Sequence, residues 1–555
     1  LKILGISFDV YPSSAAIIVD NQIIAACAEE RLNRIKYCKS FPFKAIEFVL
    51  EKAKCDIEDV DCISVGWNPA YHINNYNPRF SDMSRWRGEQ LTVIPNSFSR
   101  LLRENISTIT QKINKHIIKY VDHHQSHAGI YYISGFEKAT IVTVDGMGEN
   151  QTVTISIGQN NKINCLYSQL YPHSLGLFYG TLTQFLGFHQ DRDEWKVMAL
   201  AAYGTRENNH YINKISQLIK LTKTGFELDL SFFTFYLHDQ KNWFSQKMID
   251  LLGDNRKNQE NILNKHIQIA YAVQFVFENT MYHIIDTAIT ETKIKNLVFA
   301  GGCAMNSVFN GKIRRDYNVY ISPFPDDTGV SIGSALITNA IKAEIKNNYL
   351  GPSNLTNDIK ELLEKFKLKY YYIKDKEKLA ARLLHEDYII GWHQGRMEFG
   401  QRALGGRSIL ANPMKHHNRN RINSVIKGRE WFRPLAATCL YEKVNEFFDN
   451  ATNSFYMEKV FQVKREKMLF IPAVVHVDNS CRIQTLKKEF NESFYNLIQE
   501  FEKLSGVPLI LNTSLNSANE PIICYPEQSI KMFYTSAMDI MFIENFVVAK
   551  NDISI

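Results

Sequence analysis

Three observations in the sequence predict an α/β fold. The first forty residues read as three short β-rich runs, Ile3–Phe8, Ala15–Val19 and Ile23–Ala26, separated by Tyr11-Pro12-Ser13-Ser14 and Asp20-Asn21. A second hairpin of this kind spans 141–158 and turns at Asp145-Gly146-Met147-Gly148. A third apolar strand, Leu297–Ala300, ends in Gly301-Gly302. Glycines at such turns let backbone N–H groups approach an anion closely. Three separated strand–glycine turns are the arrangement of the actin-like ATPase superfold, where two hairpin turns hold phosphates and a glycine-rich turn holds the nucleoside. Taken singly, each is also an ordinary hairpin turn.

The remaining elements follow in chain order. Lys265–Thr290 has apolar residues every three or four positions, the spacing of a long helix. Residues 341–358 are polar and contain Asn-Asn-Tyr-Leu-Gly-Pro-Ser, the pattern of a linker. Beyond it, Asn357–Phe366 reads as a helix and Tyr388–Trp392 as a strand, so a second unit begins near 355. The expected domains are residues 1–350 and 355–555.

Composition bounds the classes of function. At ~150 residues per domain, 555 residues make three or four structural units. With 45% hydrophobic, 12% aromatic and 22% charged residues, the chain has a core of ordinary size, which excludes disorder over most of its length. The balance of 64 Lys+Arg against 58 Asp+Glu, net +6, is too mild to argue for nucleic acid. No apolar run approaches the ~20 residues of a membrane span. Leu1-Lys2-Ile3 runs straight into a strand pattern with no cleavage-site region, so a cytoplasmic protein is expected. The nine cysteines are scattered and form no C-x-x-C pair, which speaks against a disulfide framework or a zinc ribbon.

In Asp122-His123-His124-Gln125-Ser126-His127, the histidines 123 and 127 are four apart. On a helix both imidazoles share one face, within reach of one metal ion. Asp145 and Asp327 lie in turns suited to complete the set. Two histidines and two carboxylates suit Fe(II), Mn(II) or Zn(II). Such a histidine pair also occurs on helices for other reasons. Glu194-Trp195-Lys196 reads as a surface charge pair at a helix start, and Pro172-His173-Ser174-Leu175-Gly176 as a phosphate-meeting turn or a connector.

The densest polar signal is Gly395–Ser408, with three arginines (Arg396, Arg402, Arg407) and four glycines in fourteen residues. Lys427-Gly-Arg429-Glu430-Trp-Phe-Arg433-Pro434, Arg482-Ile-Gln-Thr485 and Asn512-Thr-Ser514-Leu-Asn516 continue it. Arginines beside glycine turns make bidentate sites for carboxylate or phosphate. A small phosphorylated substrate fits this pattern better than a solvated basic face or an RNA surface, which would bring lysines or stacking aromatics instead.

These motifs, in this order, resemble the O-carbamoyltransferase family of antibiotic and nodulation-factor biosynthesis, to which tobramycin and cephem carbamoyltransferases belong. The resemblance runs from Ile3 through Glu29-Glu-Arg31 and His123–His127 to Asn516, and is most specific at Glu398–Gly405, Arg429–Pro434 and Arg482–Thr485. It implies an actin-like, metal-containing N-terminal domain like the tRNA threonylcarbamoyl transferase. It also implies a C-terminal domain like the threonylcarbamoyl-adenylate synthase. The implied reaction uses carbamoyl phosphate and ATP, with or without Mg2+, to form carbamoyl adenylate. The carbamoyl group then passes to a hydroxyl of a small natural product or sugar. The resemblance carries metal ligation, Fe2+ first, to His123, His127, Asp145 and Asp327. It carries carbamoyl phosphate to Lys36, Arg402, Lys427, Arg433, Arg482 and Asn512, with Lys36, Arg402 and Arg433 catalytic. It carries nucleotide contacts to Gly176, Gly302, Asn306 and Ser514. Neither a nucleic acid nor a membrane is an expected partner.

Three positions depart from the family pattern. The first turn has Pro12-Ser13 where relatives carry His-Asp, which leaves Asp9 or Tyr11 to deprotonate the acceptor. Gln401 replaces a proline, and Ala518-Asn519 replaces a basic residue and glycine. The alternatives are a tRNA threonylcarbamoylation enzyme and an inactive nucleotide-binding scaffold. Hydrogenase-maturation relatives carry C-x-x-C pairs, which this chain lacks.

Overall fold

The computed structural model describes residues 1–10, 12–68, 117–237, 240–343 and 345–551. The chain divides into two compact units. The first comprises 1–26, 39–306 and 313–344; the second comprises 27–38, 307–312 and 345–555. The expectation of one continuous unit over 1–350 differs from this: two short pieces, 27–38 and 307–312, have their contacts in the second unit. The stretch expected to be a linker is also built in. Asn348, Leu350, Gly351 and Pro352 are buried; Phe399 N donates to Asn348 O at 2.8 Å, and the Asn348 side-chain Nδ2 donates to Phe399 O at 3.2 Å. Polar composition there reflects pairing with the 396–404 loop rather than exposure to water.

In the first unit, one sheet is built from β1 (Lys2–Ser7), β2 (Ser14–Val19), β3 (Gln22–Ala28), β4 (Cys62–Val65) and β5 (Ile117–Tyr120), in the order β3-β2-β1-β4-β5. β1 runs antiparallel to β2 and parallel to β4, which is parallel to β5. A second sheet contains β6 (Lys138–Val144), β7 (Gln151–Gln159) and β8 (Lys162–Leu170). A small hairpin, β9 (Ile219–Leu221) with β10 (Phe226–Leu228), stands apart. The second sheet is completed by β11 (Asn296–Ala300) and β12 (Asn318–Tyr320). Its order, read as third-second-first-fourth-fifth strand, repeats that of the first sheet. This duplicated α/β architecture is the actin-like arrangement. The long helix Asn264–Thr292 forms where the 3.6-residue spacing predicts one, and it packs against the helices Glu194–Ala201 and Tyr211–Ser216.

Two helices bring distant segments together in this unit. His123–Ala128 follows β5, and Val330–Asn339 follows the turn at Asp327. They cross backbone to backbone. A Cβ at Gly333 would lie 1.8 Å from Ser126 O, and one at Gly129 would lie 2.4 Å from Gly333 O. No side chain fits between them, so the crossing requires glycine. Gly333→Ala is expected to lower stability by about 3 kcal/mol, because backbone on both sides must shift. Urea denaturation of the variant checks this; an unchanged midpoint contradicts the packing.

The second unit is a nine-stranded mixed sheet. Its strands are β13 (Tyr371–Tyr372), β14 (Ile390–His393), β15 (Arg407–Ala411), β16 (Ala436–Leu440), β17 (Lys459–Gln462), β18 (Ser480–Leu486), β19 (Leu509–Ser514), β20 (Ile540–Ile543) and β21 (Phe546–Ala549). The order is β13-β21-β20-β14-β15-β19-β16-β18-β17. The core gathers Trp392, Ile409, Leu410, Leu511 and Phe542 with helices Lys376–His385 and Glu492–Ser505. The latter helix starts where the Asn491 side chain accepts from Phe494 N and stops at Gly506, which has φ 71°. Register brings site segments side by side: Asn512 opposes Ala436, and Ala437 opposes Ile483. Arg482 and the end of β19 therefore flank the strand entered from Arg433.

Candidate active site

The first unit gathers His123, His127, Asp145 and Asp327, with ligand atoms all within 4.8 Å of one another. His123 Nε2 and His127 Nε2 lie 3.1 Å apart. Asp145 Oδ2 is 3.2 and 3.1 Å from the two nitrogens, and Asp327 Oδ1 is 3.2 and 3.4 Å from them. Neighbouring donors on a metal with bonds of about 2.0–2.2 Å lie about 3.1–3.5 Å apart, so the spacing suits one ion. The surrounding contacts suit it as well. His123 Nδ1 faces Gly66 O at 3.4 Å, which turns Nε2 inward. Asp145 Oδ1 accepts from Gly146 N (2.8 Å) and Gly302 N (3.0 Å), leaving Oδ2 for the centre.

Electrostatics agree with that geometry. Burial pulls His123 down, but the Asp327 and Asp145 carboxylates outweigh it and raise it well above the ordinary imidazole value. Burial alone would raise Asp145, but its bonds to His123 and His127 hold it well below the carboxylate range. A metal bound by this set would take the place of protons on the imidazoles, so its affinity depends on pH. His123→Ala with His127→Ala is expected to abolish metal retention, since two of about four ligands are lost. Elemental analysis showing full occupancy in the double variant overturns the ligand set.

Local structure explains how the donors are aimed. Glu149, which the sequence reading passed over, is buried at 2% exposure. Its carboxylate accepts from His123 N at 3.0 Å through both oxygens and from Asn68 N at 2.7 Å. One hairpin turn thus supplies a ligand, Asp145, and the acid that fixes the start of the histidine helix. No local pattern announced this, because the contact joins Glu149 to a helix start 26 positions away.

The residues expected at the nucleotide fall in two classes. Gly176 and Gly302 both press on the Asp145–Gly146 turn: a Cβ would lie 2.8 Å from Gly146 N at the first and 2.7 Å from Asp145 Oδ1 at the second. Asn306 is buried, and its amide is in a reciprocal pair with Gln274 at 3.0 and 3.1 Å. The 172–176 turn is structural. Ser174 Oγ accepts from Leu177 N and donates to Gly146 O at 2.6 Å. Lys196 pairs with Asp193 at 3.0 Å. Burial and then Asp191 push the Glu194 carboxyl up to about 8. Asp9 is exposed, with φ 64°; Tyr11 lies outside the described residues.

The second unit gathers the other predicted set. Lys427, 2% exposed, donates to Ser514 O, to Ser514 Oγ (3.1 Å) and to Asn516 Oδ1 (2.9 Å). Burial, then Arg429, Arg433 and Lys36, hold it well below the lysine range. Burial, then Arg402, and also Arg433, do the same to Arg482. Six cations thus share one neighbourhood, and Glu430 pairs there with Arg433 at 3.5 Å. The buried Nε atoms of Arg429 and Arg482 and the buried Oδ1 of Asn512 make no hydrogen bond among the described residues. Such a set invites an anion that also carries an N–H donor. Arg429, quoted in the sequence motif but not assigned a role, belongs here by burial and charge.

The arginine-glycine run separates into different tasks. Arg407 is fully buried, and its guanidinium donates to the carbonyls of Cys524, Gln394, Gly395, Gly406 and Pro352. Arg396 donates to Gly351 O and Leu350 O. Both hold backbone rather than an anion, which corrects the reading of all three as an anion site; Arg402 is the member that joins the cluster. Glu398 shapes the loop, its Oε1 accepting from the N–H groups of Leu404, Gly406 and Arg407.

Residues 2–336 match the family model for the carbamoyltransferase N-terminus, and residues 381–550 the model for the carbamoyltransferase C-terminus. The chain belongs to the carbamoyltransferase family. This carbamoyltransferase is 33% identical to an uncharacterized protein of Synechocystis over 99% of this chain and 96% of the relative. It is 31% identical to the nodulation protein NolNO of Sinorhizobium fredii over 98% of this chain and 80% of that protein. Among solved structures, component A of the (R)-2-hydroxyglutaryl-CoA dehydratase of Acidaminococcus fermentans is similar at 16% identity, with a TM-score of 0.34 over 61% of this chain and 99% of that one. Family membership makes the chain a transferase and favours carbamoyl transfer over the tRNA-modifying alternative. No helix among the described residues is long and apolar enough to cross a membrane.

Proposed function

We propose that this carbamoyltransferase uses carbamoyl phosphate and ATP to carbamoylate a hydroxyl of a small natural product or a sugar, through carbamoyl adenylate. The observation that carries the reading is the buried cation cluster, with Asn512 Oδ1, unpartnered among the described residues, on the strand paired to the one that follows Arg433. Carbamoyl phosphate offers that cluster a phosphate for the guanidinium groups and an amide N–H for Asn512. Arg402, Arg433 and Arg482 neutralise the phosphate and stabilise its bridging oxygen as the bond to the carbamoyl carbon breaks. Water supplies the oxygen, so carbamate and phosphate form. A carbamate oxygen then attacks the α-phosphorus of ATP, and pyrophosphate leaves. Lys36 and Lys427 balance the charge of the two phosphate-bearing substrates beside Ser514.

The second stage is assigned to the first unit. The acceptor hydroxyl adds to the carbamoyl carbon of the adenylate, and AMP leaves. His123, His127, Asp145 and Asp327 would hold a divalent metal, Fe2+ foremost, which when bound supplies Lewis-acid polarisation. Gly176 lies against the Asp145–Gly146 turn on the side assigned to the nucleotide, and Gly302 serves it by holding Asp145 Oδ1 through its backbone N–H. The nodulation label of NolNO and the family resemblance support a sugar among the acceptors.

The test is incubation of the full chain with ATP and carbamoyl phosphate. Pyrophosphate release that requires carbamoyl phosphate is expected, followed by a mass gain of one carbamoyl group on members of a hydroxylated acceptor panel. Pyrophosphate release equal with and without carbamoyl phosphate overturns the reading.

A further inference from the structure

Residues 29–37 form a hook whose cations all end on backbone carbonyls of the second unit. The helix Glu29–Asn33 stops at Arg34, which has φ 65° and reverses the chain. Glu30 closes the hook: its Oε2 accepts from Tyr37 N at 2.8 Å, and its Oε1 lies 3.6 Å from Arg31 Nη2. Arg31 Nη2 donates to Gly400 O at 3.1 Å, two residues from Arg402. Arg34 Nη1 donates to Ile522 O at 2.7 Å and Arg34 Nη2 to Pro521 O at 2.8 Å. Lys36 Nζ donates to Ala518 O at 2.9 Å.

The loop that Arg34 and Lys36 grip is the one that carries Ser514 and Asn516. Its ends are tied by Ile523 N donating to Leu515 O at 3.0 Å, and its middle by Asn516 Nδ2 donating to Glu520 O at 2.8 Å. Its inner side meets Lys427 through Ser514 and Asn516. The outer side is held by the Arg34 fork. An arginine is suited to this because its planar guanidinium presents two parallel donors to two successive carbonyls, which a lysine ammonium does not.

We propose that Arg34 is a positioning residue for the anion site, fixing the 514–522 loop by its two-carbonyl fork so that Ser514 and Asn516 hold the Lys427 ammonium in place for the phosphorylated substrate. The inference rests on the proposed assignment of the cation cluster to that substrate. Arg34 acts through the loop and does not touch the anion. Its loss leaves the loop to be ordered at the expense of binding, which raises the KM for carbamoyl phosphate and leaves the KM for the acceptor unchanged.

The experiment measures inorganic phosphate and carbamoyl phosphate binding to the full chain by calorimetry, in wild type, Arg34→Ala, Arg34→Lys and Arg433→Ala. Arg34→Ala is expected to bind both about tenfold more weakly, the scale of one or two charge-assisted hydrogen bonds, with added guanidinium restoring affinity. Arg34→Lys keeps the charge and loses the fork, so it should fall between the two; wild-type affinity in Arg34→Lys overturns the proposal. A loss in Arg34→Ala that guanidinium does not restore also overturns it. Normal binding in Arg34→Ala with lost binding in Arg433→Ala rejects the positioning role and keeps the site. Normal binding in Arg433→Ala rejects the site assignment itself.

Discussion

Arg482→Ala is expected to lower carbamoyl-phosphate-dependent pyrophosphate release by about 10²–10³-fold while the chain stays folded. The guanidinium is surrounded by other cations, and its buried Nε has no hydrogen-bond partner among the described residues. Its removal therefore breaks no hydrogen bond at that nitrogen, and it relieves like-charge repulsion in the substrate-free site. The loss falls on the bound anion instead. One charge-assisted contact in a water-poor anion site is worth about 2–4 kcal/mol, which is that factor in rate. The check is pyrophosphate release alongside thermal denaturation; wild-type release places the substrate elsewhere, and a raised or unchanged melting temperature is the expected companion result. The same site predicts a pH dependence. Lys427 is held well below the lysine range by burial first and then by its cationic neighbours. As pH rises through that lowered value the ammonium loses its proton, so phosphate affinity weakens at high pH and is fully present below it.

Asp327→Ala is expected to separate the two stages. Asp327 Oδ1 belongs to the His123–His127–Asp145 cluster, all within the first unit. The cation cluster lies within the second. The variant should therefore keep carbamoyl-phosphate-dependent pyrophosphate release and lose carbamoylated product by at least about 10²-fold, the scale of a lost contribution to charge stabilisation at the reacting carbonyl. The mixed anhydride would then be consumed by water. Measuring pyrophosphate and product in parallel decides the matter. If both vanish in a folded chain, the histidine-aspartate cluster serves adenylation too; if product survives, Asp327 lies outside the transfer site.

Much of this molecule was legible from local pattern, because hydrophobic period and glycine placement act over a few residues. The hairpins at 1–28 and 138–159, the strand ending in Gly301-Gly302 and the helix Asn264–Thr292 all lie within a few residues of where alternation and 3.6-residue spacing put them. The same holds for the short helix that carries His123 and His127 on one face: four-residue spacing alone aligns two imidazoles. Types of donor, and the concentration of arginine in three motifs, were likewise written in the chain.

Tertiary structure decided which of those groups converge. Asp327 reaches His127 because Gly129 and Gly333 let two helices cross at backbone distance, a condition no local window contains. Arg407 and Arg402 stand in the same glycine-rich run, yet the first is consumed by five carbonyls, those of the distant Cys524 and Pro352 among them, and the second joins the cations. Asn306 pairs with Gln274, 32 positions away, and residues 27–38 take their partners from 400 and 518–522. The reason is common to all of them. A buried polar group must find a hydrogen-bond partner, and which partner is nearest depends on how separate segments pack, whereas the identity and spacing of the groups are fixed along the chain.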